Sequence, residues 1–217
     1  DPYGNMHMGV CGDLVAEKYG FTREDQDEFA ATSYRRALAA QKEGRFKPEI
    51  VPVAVPQRRG EPLLLDDDEE PGRGKIDKFA GLRPAFGRDG TVTAANASSL
   101  NDGAAALVVC SADVARERGY NVLAKIIADS SAAVEPKWFT IAPVDALAKL
   151  YAKTGTDASD WDLYEVNEAF SGVTMAAAKE HSIPMEKINV NGGAVSIGCF
   201  QGALSSLSAA DLGALVV

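Results

Sequence analysis

The amino-acid sequence predicts an α/β fold in which helices cover a largely parallel sheet. From Ala104 to Val190, apolar strand candidates alternate with segments of helical spacing, which is the signature of βαβ units. The stretch from Trp161 to Gly202 supplies a strand, a helix, a second strand and a glycine-rich loop. Because open α/β sheets bind ligands in the crevice where their strands end, we expect the chemistry of the protein in this stretch.

The composition is that of a soluble globular protein and argues against two classes of partner. The chain has 217 residues, of which 46% are hydrophobic and 24% charged. No apolar run approaches the roughly 20 residues of a membrane span. A net charge of −9 argues against a sequence-independent grip on nucleic acid or on an anionic membrane surface. We therefore expect neither nucleic-acid nor membrane binding.

The three cysteines and the first residues bear on the compartment. Cys11, Cys110 and Cys199 are widely scattered, which fits neither a disulfide scaffold nor a metal knuckle and indicates a reducing compartment. The chain starts at Asp1 with neither an initiator methionine nor a basic, apolar leader. We expect either a missing N-terminal segment or the absence of a targeting signal.

The first half of the chain is expected to be mainly helical. A short helix runs from Asp13 and ends at Gly20, and a second one begins with a capping box at Thr22 and stops at Gly44. Arg35 and Arg36 on this second helix are expected on its solvated face. Residues 50–55 form a short edge strand. The acidic run at residues 66–70 could be mistaken for a metal cluster, but it is predicted to be a solvated loop.

The second half is predicted to alternate strands and helices. A small, turn-rich segment at residues 91–103 either lets a narrow ligand pass the backbone or packs tightly between elements. The predicted elements after it are a buried strand at 104–110, a helix at 111–119, a strand at 122–127, a helix at 143–151 stopped by Gly155, a strand at 163–166 and a helix opened by Asn167.

Four collinear motifs carry a resemblance to a known family. They are Met6–Gly9, Ala94–Ala106, Val166–Phe170 and Asn189–Val195. Together they resemble the thiolase family, and within it the mitochondrial, potassium-activated type. The resemblance implies an acyltransferase that interconverts two acetyl-CoA with acetoacetyl-CoA and free CoA, with CoA as a substrate. It also implies a homo-oligomer, dimer or tetramer, in the full-length form, and a mitochondrial location, or a cytoplasmic one if the source is bacterial.

The resemblance divides the chain into three parts of an incomplete thiolase-like fold, in which a mixed sheet lies between helices. Residues 1–99 would form an inserted loop domain over the CoA. Residues 100–119 would be the last strand and helix of the N-terminal domain, and residues 120–217 part of the C-terminal domain, with 199–217 divergent. Missing strands would leave an apolar sheet edge uncovered, so we expect poor solubility of the isolated chain.

The resemblance also assigns site residues. Asn167 matches an asparagine that holds a water beside the thioester oxygen; its alternative role is a helix N-cap. The positions that match CoA contacts are His7, Met8, Tyr34, Lys75, Ile76, Asp77, Lys78 and Ser98. For the lysines, which with Arg83 and Arg88 form the basic segment of the chain, a solvated loop is the alternative. Phe139 and Phe170 match the substrate pocket. The positions that match a potassium site are Tyr34, Ala94, Ala95, Ala97 and Val195.

Two departures from the family pattern bear on activity. The segment of the nucleophilic cysteine would lie before Asp1, and Cys199 stands where the family has its catalytic histidine. A thiol is a shorter and weaker donor than an imidazole, so we expect no turnover from this chain alone. Cys199 itself is predicted to be a small apolar filler and not a new nucleophile. The alternative function is a catalytically dead protein that binds CoA or partners an active thiolase subunit.

Overall fold

The structure is a computed structural model that describes residues 3–199 and the short strand at residues 215–216. Its helices are α1 (Met8–Tyr19), α2 (Arg23–Lys42), α3 (Glu70–Arg73), α4 (Ala112–Arg118), α5 (Ala142–Thr154), α6 (Ser171–His181) and α7 (Ala194–Ile197). The strands are β1 (Val53–Val55), β2 (Leu63–Leu65), β3 (Tyr164–Glu165) and β4 (Leu215–Val216). Four 3₁₀ helices lie at Ile76–Gly81, Pro136–Ile141, Ala158–Asp160 and Met185–Lys187.

Local capping signals determine the ends of the helices. α1 ends at Gly20 (φ 69°) as predicted, but it begins at Met8 and not at Asp13, because the His7 ring accepts a hydrogen bond from the Gly9 amide. The predicted capping box of α2 is present, with Thr22 and Asp25 exchanging backbone-to-side-chain bonds. α4 and α5 likewise end at glycines with positive φ, Gly119 and Gly155.

One face of α2 is buried against the rest of the protein. Ala30, Ser33, Ala37 and Ala40 are buried along this face. Arg36 is half-buried, and its guanidinium donates to the carbonyl oxygens of residues 185 and 188, at 3.0 and 2.5 Å. The expectation of a solvated Arg36 is therefore wrong, because the guanidinium donates to backbone carbonyls of a neighbouring segment.

Residues 53–65 form a small hairpin at the surface. The strand predicted at 50–55 is present but shorter, and β1 pairs with β2 in antiparallel register, Val53 opposite Leu65. β2 was not predicted, because its three leucines stand between a proline and an acidic run. The acidic run is exposed for most of its length, and α3 begins at its last residue, Glu70.

Two predicted strands are absent. Residues 104–110 and 122–127 have no regular secondary structure and are exposed, with 74% and 90% of the surface of Leu107 and Val108 accessible. A strand is stable only beside a hydrogen-bonded neighbour, and no described strand lies beside either segment. The uncovered apolar faces expected from the sequence are thus present; their effect on solubility stays a prediction.

The C-terminal half forms a small α/β layer around β3. β3 pairs with β4 in parallel, and Tyr164 also forms a parallel bridge with Ile188. The helices α5 and α6 cover this layer, and their buried side chains Leu147, Leu150 and Ala177 pack against Tyr164. The predicted α/β class with parallel neighbours is confirmed. The helix expected to open at Asn167, however, begins only at Ser171.

Among the helices in the described part of the chain, none has the length and apolar character to span a bilayer.

The sharpest backbone constraint in this fold is at Gly192. Its φ is 84°, and a Cβ built on it would lie 2.7 Å from the Cβ of Ala37 and 2.8 Å from the Ser33 carbonyl oxygen. Gly192 therefore lets the glycine-rich loop at residues 191–198, called the glycine loop below, approach the backbone of α2.

Replacing Gly192 with alanine is expected to lower the free energy of unfolding by about 2–5 kcal/mol, through positive-φ strain plus overpacking. Gly155→Ala is the matched control, because Gly155 has a φ of 69° with nothing within 4 Å of its Cβ position. The control should cost only the strain of about 1–2 kcal/mol. Urea unfolding of both variants measures the difference, and equal losses would contradict the packing argument.

Candidate functional site

Three adjacent backbone segments bring the predicted catalytic positions to one place. The segment that follows β3 lies against residues 96–98: the Ser171 amide donates to Asn96 at 2.9 Å and the Ser98 amide donates to Ala169 at 3.1 Å. Cys199 lies beside the residue that follows Ser98, because the Cys199 amide donates to the Ser99 carbonyl at 2.8 Å. Ser98 and Cys199 are thus held near the segment of Asn167.

Asn167 lies between β3 and α6 and is not a cap. Phe170 is the N-cap residue of α6, so the alternative role of Asn167 as a helix cap is wrong. The Asn167 side chain is half-buried, and among the described residues its amide has no hydrogen-bond partner. An amide held at the end of a strand without a partner is available to bind a water or a ligand.

An aromatic wall links the start of α1 to the start of α6. The His7 ring stacks on Phe86 with ring centroids 4.5 Å apart, and Phe86 meets the edge of Phe170 at 6.3 Å. Gly9 makes room for Phe86, since a Cβ there would lie 2.1 Å from its ring. Met8 beside His7 is exposed. His7 and Phe170 are therefore brought together by a residue that the sequence analysis missed.

Phe86 was missed because no spacing rule marks it. It stands in a loop between Pro84 and Gly87, where an isolated aromatic residue has no helical or strand period. The only available signal was an apolar ring in an otherwise polar, glycine-rich loop, which is a weak indication of a binding surface.

A buried carboxylate, Glu168, lies next to Asn167 in the chain. It is 1% exposed. One carboxylate oxygen accepts from Asn189 Nδ2 at 2.8 Å, and the other accepts from the Ser33 hydroxyl at 2.7 Å and from the Val195 amide at 3.2 Å. The Ser33 hydroxyl in turn accepts from the Gly193 amide at 3.0 Å. Glu168 therefore connects α2, the glycine loop and the exit of β3.

Burial raises the pKa of Glu168 above its ordinary value of 4.5, against the opposing effect of its hydrogen-bond donors and of Arg36. The hydroxyls around it can serve either protonation state. Ser33 and Ser196 lie 2.9 Å apart with either one as donor, and Ser196 also donates to the Gly193 carbonyl at 3.0 Å. A protonated Glu168 could donate to Ser33, and the chain of hydroxyls would then reverse its direction.

Three of the five predicted potassium positions share one buried cluster. Tyr34, Ala95 and Val195 pack together with Phe79, whereas Ala94 is exposed and Ala97 half-buried. The Tyr34 hydroxyl has no hydrogen-bond partner among the described residues. Burial, followed by the charge of Glu70, raises the pKa of Tyr34 and keeps the phenol neutral. A neutral phenol oxygen is a hard ligand, which is the type that a hard cation prefers.

The segment at residues 75–78, which matches CoA contacts, packs on the same cluster. Ile76 touches it, and the Arg23 guanidinium holds the 3₁₀ helix Ile76–Gly81 by donating to the Phe79 carbonyl at 2.8 Å. Lys75, Asp77 and Lys78 are exposed. The backbone is thus anchored while the lysine side chains project from it.

The structure does not bring the two predicted substrate-pocket residues into one cluster. Phe170 packs with Val92 and Val173, whereas Phe139 is 38% exposed in the 3₁₀ helix Pro136–Ile141 and is not part of that cluster.

The titration of Glu168 predicts a pH dependence of stability. A carboxyl whose pKa is raised in the folded state stabilises the fold fully below its unfolded pKa, near 4.5, and this contribution is lost as pH rises through the raised pKa. Wild type should therefore lose stability relative to Glu168→Gln as pH increases, with a slope of at most about 1.4 kcal/mol per pH unit. Urea unfolding of both proteins between about pH 4 and 8 measures this, and a flat or rising difference would contradict the raised pKa.

Comparisons with known proteins agree with this architecture. Residues 1–113 match the thiolase N-terminal domain and residues 120–208 match the thiolase C-terminal domain. The chain is 48% identical over 199 residues to an acetyl-CoA acetyltransferase from Pseudomonas aeruginosa, which covers 91% of this chain and 51% of that protein. It is also 48% identical over 198 residues to an acetyl-CoA acetyltransferase from Yarrowia lipolytica, with 91% and 50% covered.

Among solved structures, a thiolase from Ascaris suum in complex with coenzyme A superposes with a TM-score of 0.88 at 42% identity, covering 98% of this chain and 53% of that one. The thiolase-like fold implied by the four motifs is thereby confirmed. The chain spans about half the length of the curated relatives it matches. Since the two family domains match nearly the whole sequence and the fold agrees, the chain belongs to the thiolase family.

Proposed function

We propose that this chain is part of a thiolase-type acyltransferase that interconverts two acetyl-CoA with acetoacetyl-CoA and free CoA. The observation that supports the proposal most is the partnerless Asn167 amide at the exit of β3, beside Ser98 and Cys199. The names of the relatives, acetyl-CoA acetyltransferase, fit the same reaction.

In the proposed reaction the difficult step is the formation of an enolate next to a thioester. Negative charge develops on the thioester oxygen, and a donor placed in advance lowers the barrier without reorganising. We assign to Asn167 a water that donates to this oxygen. Its amide has no hydrogen-bond partner among the described residues, whereas the Val166 backbone on one side and the Glu168 side chain on the other are both hydrogen-bonded.

The aromatic wall of His7, Phe86 and Phe170 is the proposed surface for the pantetheine arm of CoA, with Met8 at its exposed end. An apolar wall next to a backbone with small side chains suits a narrow, mostly apolar chain. Ser98, whose amide is engaged by Ala169, lies on the segment that this arm would follow. Lys75 and Lys78 are candidates for the phosphates at the far end.

A potassium ion is a further part of the proposal. The Tyr34 hydroxyl and the backbone carbonyls of Ala94, Ala95, Ala97 and Val195 would hold it, and the buried cluster of Tyr34, Ala95 and Val195 supports that placement. The ion would supply positive charge that stiffens the segment leading to Ser98. We also propose a homo-oligomer, dimer or tetramer, for the full-length form.

Cys199 favours a second candidate function, which is CoA binding without turnover. A thiol in the position of the family's histidine removes one of the two expected donors to the thioester oxygen. A protein of this kind would still bind CoA through the aromatic wall and could partner an active subunit.

The test uses acetoacetyl-CoA, whose acidic carbon gives an enolate with its own ultraviolet band. A donor on the oxygen lowers the pKa of the bound ester, so Asn167→Ala should raise this pKa by about 1 unit or more, corresponding to the loss of one charge-assisted hydrogen bond. Cys199→His should lower the pKa of the bound acetoacetyl-CoA, because an imidazole donor is added.

Affinity for CoA is measured by calorimetry in potassium chloride and in sodium chloride. The affinity of Asn167→Ala should equal that of wild type, and both proteins should bind CoA more tightly in potassium chloride.

Asn121→Ala is the matched control, since Asn121 is an exposed asparagine in a segment without regular structure. Acetoacetyl-CoA bound to this variant should have the same pKa as acetoacetyl-CoA bound to wild type. If Asn167→Ala also titrates like wild type, the assignment of the water to Asn167 fails. A Cys199→His protein that binds CoA but leaves the pKa of the ester unchanged would favour the second candidate.

A further inference from the structure

The backbone before Asn167 is held by a side chain that uses both of its polar groups. Asn189 Oδ1 accepts from the Val166 amide at 2.8 Å, and Asn189 Nδ2 donates to the Val166 carbonyl at 2.8 Å. One buried side chain thus satisfies both backbone groups of the residue that precedes Asn167. Val166 cannot move without breaking two buried hydrogen bonds.

The residue after Asn167, Glu168, is held through its own side-chain carboxylate, and this carboxylate is bonded to Asn189. Asn189 Nδ2 also donates to Glu168 Oε1 at 2.8 Å. Ser33 and the Val195 amide donate to the other oxygen of Glu168. Asn167 is therefore bracketed on both sides by one connected network, which is anchored in α2 and in the glycine loop.

Asn189 adopts a conformation that needs support. Its φ is 47°, and it is 2% exposed. Non-glycine residues rarely adopt positive φ, although asparagine tolerates it best, and buried examples persist only where surrounding bonds over-determine them. The hydrogen bonds to Val166 and Glu168 provide this support. The polar network is thus concentrated around an amide that itself bonds to no described residue.

We propose that Glu168 and Asn189 are positioning residues that hold the Asn167 amide in the orientation needed for the enolate step. The inference rests on the proposed function of Asn167 and adds the groups through which that residue acts. Donors stabilise a developing charge only if they are oriented before the charge appears, because reorientation during the reaction costs part of the gain. Glu168 is not proposed to touch the substrate.

Glu168→Gln weakens the hold on Glu168 while keeping the shape of the side chain. All three groups that face the carboxylate, from Asn189, Ser33 and Val195, act as donors to it. An amide in this place turns its NH₂ group toward either the Asn189 amide or the Val195 N–H, so one hydrogen bond is lost in either orientation. Asn189→Ala removes the hold on Val166 in the same way.

The readout is again the pKa of bound acetoacetyl-CoA. Glu168→Gln and Asn189→Ala should each raise it by about 0.5–1 unit, equivalent to a threefold to tenfold smaller enolate fraction. The effect should vanish in the background of Asn167→Ala, because both residues act through that amide. CoA affinity should change less than twofold. In nitrogen-15 NMR, the heteronuclear NOE of the Asn167 side-chain amide should fall in both variants.

Tyr164→Phe is the control for a loss of stability alone. Tyr164 is fully buried. Its hydroxyl accepts from the Tyr151 hydroxyl and donates to the Ala158 carbonyl, and it makes no hydrogen bond to Asn189 or Glu168. This variant should melt at a lower temperature with the pKa of the ester and the amide NOE of wild type.

The outcomes separate the inference from the proposed function. If Asn167→Ala raises the pKa of the ester while Glu168→Gln and Asn189→Ala behave like Tyr164→Phe, the inference fails and the proposed function stands. Effects of Glu168→Gln that add fully to those of Asn167→Ala also overturn it. If Asn167→Ala has no effect on the ester, the proposed function fails, and the NMR measurement then decides the inference: an unchanged amide NOE in both variants refutes it.

Discussion

The burial of the Glu168 carboxyl is the constraint on which the rest of this structure depends. A carboxyl group without water costs several kcal/mol unless hydrogen bonds replace its hydration, and here three donors do so. These donors come from a side chain of α2, from Asn189 and from the backbone of α7. Each of these elements therefore has its position set by the same group, and the glycine loop must come close enough to reach it. Gly193 allows that approach, since a Cβ there would lie 2.3 Å from the carboxyl carbon.

The same constraint explains how a short layer can present a site. β3 contains two residues, and its parallel neighbours are short. A strand exit of this length would fray if only its ladder held it. The polar network replaces the missing ladder bonds around the Asn167 amide, which has no hydrogen-bond partner among the described residues. A donor in rigid surroundings is what the proposed enolate step requires.

Sequence reasoning predicted the features that depend on neighbouring residues. The capping box of α2 and the glycine ends of α1, α4 and α5 were predicted because each signal lies within four residues of the end it sets. The strands expected at 104–110 and 122–127 are absent, because a strand depends on a partner that its own residues do not encode. The β1–β2 hairpin was missed for a related reason, as its leucines follow no alternating pattern.

Within the site, the family resemblance located Asn167, Ser98 and Cys199, and the structure places them on adjacent segments. It did not include Phe86, and it assigned no role to Glu168 or Asn189, although both lie within its motifs. The contacts of Glu168 join residues more than 130 positions apart, such as Ser33, and no local pattern predicts such a pair. Phe139 shows the converse, because a residue that matches a pocket position lies outside the cluster around Phe170.

The central claim is that Glu168 couples α2 to the strand exit, and a double-mutant cycle between Ser33→Ala and Glu168→Ala tests it most directly, because each change removes the hydrogen bond between the two side chains. Ser33 Oγ contacts Glu168 at 2.7 Å, so the two variants should not be additive. The account predicts a coupling of about 1–3 kcal/mol in the free energy of unfolding, measured with urea. Additivity within about 0.3–0.5 kcal/mol would contradict the claim that this buried carboxyl organises the site.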